Sequence, residues 1–193
     1  MIEGDSTEYE LLEKCCKLIK VEDPLTLEIG VRQGKGSHII LENFKDKKHW
    51  HIGVDPYGNL DYQHYDESGS YRCDYTNSMK LQLLKDLDYP NFTLFNLGDD
   101  EFMHRFHDGV PIYDETKQIK NVYDLVHLDG PHKTIDVIKE IIFFAERSRK
   151  DSLIILDDYP KYNWNLCGHI FLLYNFKVLH MGKNKAVFKK YDT

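Results

Sequence analysis

Three aspartates, Asp129, Asp157 and Asp158, stand directly behind apolar runs, LVHL before the first and LIIL before the pair. If those runs are neighbouring parallel strands, all three acids face one crevice, because functional groups in an open α/β sheet gather at the carboxyl ends of its strands. Carboxylates held together repel, and each raises the others' pKa unless a cation sits among them. An all-oxygen cluster of this kind suits Mg²⁺, which binds a few carboxylates, keeps several waters and takes a substrate oxygen. The alternative is local: Asp157 caps the following helix, and Asp129 shares a turn with Gly130.

A second constellation lies at 25–41, LTLEIGVRQGKGSHIIL. An apolar run, a loop holding Gly30, Gly34 and Gly36, and an amphipathic run from Ser37 read as strand, tight turn and helix. Glycines in such a loop take positive φ and let a ligand approach the backbone. The helix start presents free N–H groups at the same place. Asp55 ends the next apolar run, HIGVD, where an acid on the neighbouring strand tip accepts hydrogen bonds from ribose hydroxyls. These residues predict a nucleoside-binding crevice.

The glycine order is G-x-x-x-G-x-G, not the G-x-G-x-x-G of a dinucleotide site, and Glu28 stands two positions ahead of it. E-x-G-x-x-x-G followed by an acid at the next strand end resembles class I S-adenosylmethionine-dependent methyltransferases. An acid before the loop suits a cofactor that carries an amino group and a sulfonium instead of a pyrophosphate. The resemblance implies that Glu28, Gly30, Gly34, Ser37 and Asp55 hold S-adenosylmethionine. It also implies that Asp99, at the tip of the third strand, lies beside the adenine ring. A plain strand–helix turn with a buried or solvated Glu28 is the other reading of the same residues. Asp99 and Asp100 each read also as the cap of the short helix after them.

DLVHLDGPH followed by LIILDDY is similar to the metal-dependent small-molecule O-methyltransferases related to macrocin O-methyltransferase, and the likeness runs over 25–190. It implies that Asp129, Asp157 and Asp158 bind Mg²⁺, with Asp129 also bordering the cofactor. The metal would hold a hydroxyl of a small acceptor, often a sugar. The family's D-G-D pattern, whose second acid is the proposed base, is broken here by Pro131. His132 is the next titratable residue, and an imidazole of near-neutral pKa is a competent base. It reads equally as a structural group bonded to its own loop. Two competing functions are a nucleotide-sugar oxidoreductase using NAD(P) and a non-catalytic module that binds S-adenosylmethionine. The glycine order argues against the first, and Pro131 keeps the second in play.

Composition narrows the class. With Lys+Arg at 25 and Asp+Glu at 32 the net charge is −7, and no basic stripe of the kind that tracks nucleic acid is present. No apolar stretch is long enough to span a membrane, and the N-terminal residues are acidic, unlike a secretory signal. Cys15, Cys16, Cys73 and Cys167 lack C-x-x-C spacing and read as reduced thiols of a cytoplasmic protein. The expected partner is a small-molecule acceptor, with self-association into a homo-oligomer left open.

These side chains need a scaffold of strands whose ends converge. Strands are expected at 25–29, 50–54, 91–96, 122–129 and 152–156, separated by helices at 37–43, 78–88, 101–106 and 134–148. A helix at 166–174 then leads to 177–181 and 186–190, which flank a Gly-Lys-Asn hairpin signal. The fold class that follows is α/β, a doubly wound Rossmann-like sheet of seven strands with the last antiparallel. The chain, 1–193, reads as a single methyltransferase-like domain with an N-terminal helical extension over 1–22. Residues 56–76, rich in tyrosine and turn formers, read equally as a lid over the site or as an ordinary surface loop, and 107–120 as an irregular connection.

Overall fold

The computed structural model describes residues 2, 4, 6–63, 65–67, 69–72, 75–130 and 133–192, with Tyr71 described by its backbone alone. Helix α1 (Tyr9–Leu18) buries Leu11, Leu12, Cys15 and Cys16 on one face, and Asp23-Pro24 separates it from β1 (Leu25–Ile29). The glycine loop leads to α2 (Lys35–Phe44) and β2 (Trp50–Val54). Within 56–76 lies a small hairpin, β3 (Asp61–Gln63) and β4 (Ser70–Arg72), paired Tyr62 to Tyr71. Helix α3 (Asn77–Asp86), capped by the Thr76 hydroxyl, is followed by β5 (Phe92–Phe95) and α4 (Asp99–Arg105).

The connection expected to be irregular is a second hairpin, β6 (Val110–Tyr113) and β7 (Lys117–Lys120). Val110 and Ile112 alternate inward, but Pro111 between them masks the strand pattern. A two-stranded hairpin has only edges, where proline is tolerated. Strand β8 (Tyr123–Leu128) and α5 (Thr134–Glu146) come next, then β9 (Ser148–Leu156). β9 starts earlier than expected because Asp151, at φ 68, makes an irregular step that lets the chain pair again upstream. A short 3-10 turn (Tyr159–Lys161), α6 (Trp164–Leu173) and the hairpin β10 (Phe176–Met181) and β11 (Ala186–Lys190) complete the chain.

The sheet order is β10-β11-β9-β8-β1-β2-β5. β11 runs antiparallel to both neighbours, and the β9, β8, β1, β2 and β5 pairings are parallel, as the closing hairpin predicted. Strand direction of travel reverses at β1, so the crevice at its carboxyl end is a topological switch point. Period-two alternation divides the core: Ile154 and Leu156 join Phe144 and Phe171 on one face, while Leu153 and Ile155 join Leu12 and Phe44 on the other. Among the described residues no helix is long and apolar enough to cross a membrane.

Candidate functional site

The carboxyl ends of β1, β2, β8 and β9 surround a cavity of about 810 Å³, lined among others by Gly30, Asp55, Asp99, Asp129, Asp157 and Asp158. That volume suits a small ligand. Gly30 is at φ +85, its N–H donates to Val54 O at 2.9 Å, and a Cβ there would lie 1.9 Å from the Asp129 carbonyl oxygen. Only glycine lets the β1 and β8 loops cross this closely.

Asp55 is buried, with Oδ2 accepting the Arg32 N–H at 2.8 Å and Oδ1 without a partner. Burial outweighs the Arg32 and Val31 backbone N–H groups, which favour the charge, and pushes its carboxyl up to about 7. An orphaned acceptor at a strand tip is expensive unless a ligand donates to it, and a ribose hydroxyl is such a donor. Asp99 opens α4 on the same wall, and burial raises its carboxyl too. Behind it the buried Glu140 of α5 is raised well above the usual range, by burial and then by the Asp99 charge. Sequence reasoning missed Glu140. Its signal was an acid on the apolar face of α5, one turn from Val137 and Phe144.

Glu28, Gly34 and Ser37 do not line this cavity, contrary to expectation. Strand alternation sends Ile29 to the α5 face and turns Glu28 toward α2. There Glu28 accepts from Ser37 Oγ at 2.5 Å and pairs with His127 Nδ1 at 2.8 Å. Gly36 is glycine because a Cβ would meet Glu28 Oε1 at 1.9 Å. Gly34 is at φ +88 before α2 and gives room to Leu83 and Leu87 of α3. The pattern that signalled a cofactor loop thus carries three tasks: Gly30 shapes the wall, Glu28, Gly36 and Ser37 fasten α2 to the sheet, and Gly34 makes room for α3.

The acid corner is also arranged differently. Asp129 and Asp157 bring carboxylate oxygens within 4.8 Å of each other; burial and then the Asp157 charge raise Asp129 well above the carboxylate range. Burial would raise Asp157 as well, but the Lys185 ammonium reverses the shift and keeps it ionised. Lys185 Nζ lies 2.5 Å from Asp157 Oδ2, the Ser6 hydroxyl donates to the same oxygen, and Oδ1 accepts the Asp158 N–H at 2.9 Å. Asp158, at φ 51, turns its carboxylate to the Tyr65 hydroxyl at 2.6 Å. The donor set close enough for one ion, among the described residues, is His127, Asp129 and Asp157, without Asp158. In that set Asp157 is already hydrogen-bonded at both oxygens and His127 at both nitrogens, Nδ1 to Glu28 and Nε2 to Lys185 at 3.2 Å. The residues as placed do not fit Mg²⁺, which needs ligand oxygens free at about 2.0–2.1 Å. Lys185 and Ser6 were missed: a lysine in a polar hairpin turn and a serine near the N-terminus carry no local signal. Pro131 and His132 lie outside the described residues.

Described residues of 56–76 make contacts at this corner. Besides the Tyr65 bond, Asp66 accepts the Thr134 N–H at 3.0 Å and the Thr134 hydroxyl at 2.5 Å, tying the hairpin to the start of α5. At its base the Tyr75 ring is tilted 46° to that of Tyr57, centroids 6.2 Å apart, and the Arg32 guanidinium lies over the Tyr75 ring at 5.4 Å.

Residues 27–159 match the family described as a methyltransferase domain. None of the curated proteins compared matches the chain. Among solved structures, the O-methyltransferase NovP superposes with TM-score 0.64 at 12% identity, covering 95% of this chain and 79% of that one. A putative caffeoyl-CoA O-methyltransferase from Staphylococcus aureus gives 0.62 at 12%, covering 98% and 85%. The S-adenosylhomocysteine-bound methyltransferase PaMTH1 of Podospora anserina gives 0.59 at 12%, covering 98% and 80%. At such identities the superpositions establish the fold.

Proposed function

This chain belongs to the methyltransferase-domain family, as an S-adenosylmethionine-dependent enzyme, and on that premise we propose that it methylates a hydroxyl of a small molecule, a sugar among the candidates. The observation that carries the reading is the cavity at the switch point, with the orphaned Asp55 Oδ1 on its wall and the tyrosine-rich hairpin above it. S-adenosylmethionine supplies an electrophilic sulfonium methyl when bound. Asp55 accepts from its ribose, Gly30 admits it against the backbone, and Asp99 borders the base. The hairpin 61–72 and the strand-end acids would confine the acceptor hydroxyl beside the bound cofactor, and its proton would pass to a base as the methyl group is taken up.

For that base we retain His132, two positions past the cavity-lining Gly130; support for it is the sequence position alone. The Mg²⁺ expected from the resemblance is not carried into the reading, because Lys185 already bonds Asp157 Oδ2 and His127 Nε2. A small acceptor is favoured over nucleic acid by the net charge of −7 and the acid-lined wall. Two measurements test the proposal. S-adenosylhomocysteine should raise the Tm, since a ligand that binds only the native state stabilises it. Mass spectrometry of a hydroxylated acceptor panel, incubated with S-adenosylmethionine, should find a product heavier by one methylene. Stabilisation by NAD and not by S-adenosylhomocysteine, or methylation confined to nucleic acid, would overturn it.

A further inference from the structure

Lys185 is fully buried, although lysine is seldom buried without a partner. Its surroundings are built for an ammonium. Nζ has three N–H donors and meets three acceptors: Asp157 Oδ2 at 2.5 Å, Ser6 Oγ at 2.8 Å and His127 Nε2 at 3.2 Å. The Tyr9 ring lies under it at 5.9 Å. By accepting from the lysine, Nε2 leaves the imidazole proton on Nδ1, where it donates to Glu28 Oε1. All three N–H donors of the ammonium are therefore used.

The backbone at Lys185 is fixed with equal care. Glu8 receives the N–H groups of Lys183, Asn184 and Lys185 at 2.9, 2.7 and 2.9 Å. A Cβ on Gly182 would lie 2.2 Å from the Glu8 carboxylate, so glycine in this turn admits the clamp. The Tyr159 N–H bonds Asn184 O at 3.0 Å, joining the turn to the chain just after Asp158. Residues 6–8 thus hold the hairpin that delivers Lys185, and Ser6 also bonds the acid that Lys185 neutralises.

We propose that Lys185 is a resident cation occupying the place a divalent ion would take among His127, Asp129 and Asp157, so that this enzyme binds no metal there and turns over without one. The ammonium supplies the positive charge that keeps Asp157 ionised. It also closes His127 Nε2 and Asp157 Oδ2 to any ion. The proposal concerns this corner alone and stands whatever the acceptor is.

The test is Mn²⁺ binding by the chelator-stripped full chain, read from loss of the free-ion electron paramagnetic resonance signal. Wild type should bind no Mn²⁺ up to about 1 mM, a concentration that fills even weak carboxylate sites. Lys185→Met keeps the hydrocarbon stem and removes the charge. It should bind one Mn²⁺ at least about tenfold more tightly, and adding Asp157→Asn should abolish that site. Wild type binding one Mn²⁺ that Asp157→Asn removes would overturn the proposal. So would a folded Lys185→Met that gains no site. Lys185→Gln serves as the second variant, and if neither folds the wild-type titration decides alone.

Discussion

The two sides of the crevice begin from the same sequence feature, an acid directly after an apolar strand, and end in opposite states. Asp55 keeps one carboxylate oxygen without a partner and is raised to about 7 by burial. Asp157 has every oxygen engaged and is held ionised by Lys185 against the same burial. An unsatisfied buried acceptor is a place prepared for a ligand; a saturated ion pair is a place already filled. The contrast separates a wall that carries an unsatisfied acceptor from a corner whose buried charge is met by the chain's own atoms.

The sharpest way to break that contrast is to destroy the wall the two halves share. Gly30→Ala puts a Cβ at φ +85 and 1.9 Å from the Asp129 carbonyl oxygen, forcing the β1 and β8 loops apart. We expect a loss of about 3 kcal/mol, a fall in Tm of about 10 °C, and no further rise on adding S-adenosylhomocysteine. Retained stability and binding would mean the loops have slack.

Asp55 gives the next largest effect and the one with a pH signature. Asp55→Ala should weaken S-adenosylhomocysteine binding about 10- to 100-fold, the worth of hydrogen bonds to a charged acceptor, as calorimetry can measure. Its folded pKa of about 7 lies above the ordinary value of about 3.9. Between the two, the native state holds more protons than the unfolded chain, so this group makes stability fall as pH rises from about 4 to about 7. Ligand affinity should move the other way, increasing through about 7 as the carboxylate forms and accepts from the ribose. Asp55→Asn should flatten both slopes. A wild-type affinity independent of pH would place the cofactor's hydroxyls elsewhere.

The smallest expected effect concerns the roof. Tyr65→Phe removes the bond to Asp158 and leaves the two Asp66 bonds to Thr134 in place. Loosening of about 1 kcal/mol or less should follow, read as faster hydrogen exchange over 61–72 with little change in cofactor affinity. A large drop in affinity would assign this roof to the cofactor side of the crevice rather than the acid side.

What the chain determined by itself is what depends on near neighbours in sequence. Alternation and 3.6-residue periodicity placed the strands 25–29 and 50–54 and most helices, because burial acts through i+2 and i+4 spacing. The hairpin signal at Gly182-Lys183-Asn184 correctly made β11 antiparallel. Gly30 and Asp55 were legible as wall residues because a strand end fixes where the next residue goes. Pro111 hid β6, and turn formers hid β3 and β4, since short strands hold by pairing more than by pattern. The fate of each acid was decided only by tertiary structure. Glu28 finds His127 99 positions away, Lys185 finds Asp157 28 away, and Ser6 reaches Asp157 across 151. A carboxylate's role depends on which donors fold against it, and no spacing within a single strand or turn records a donor that arrives from the far end of the chain.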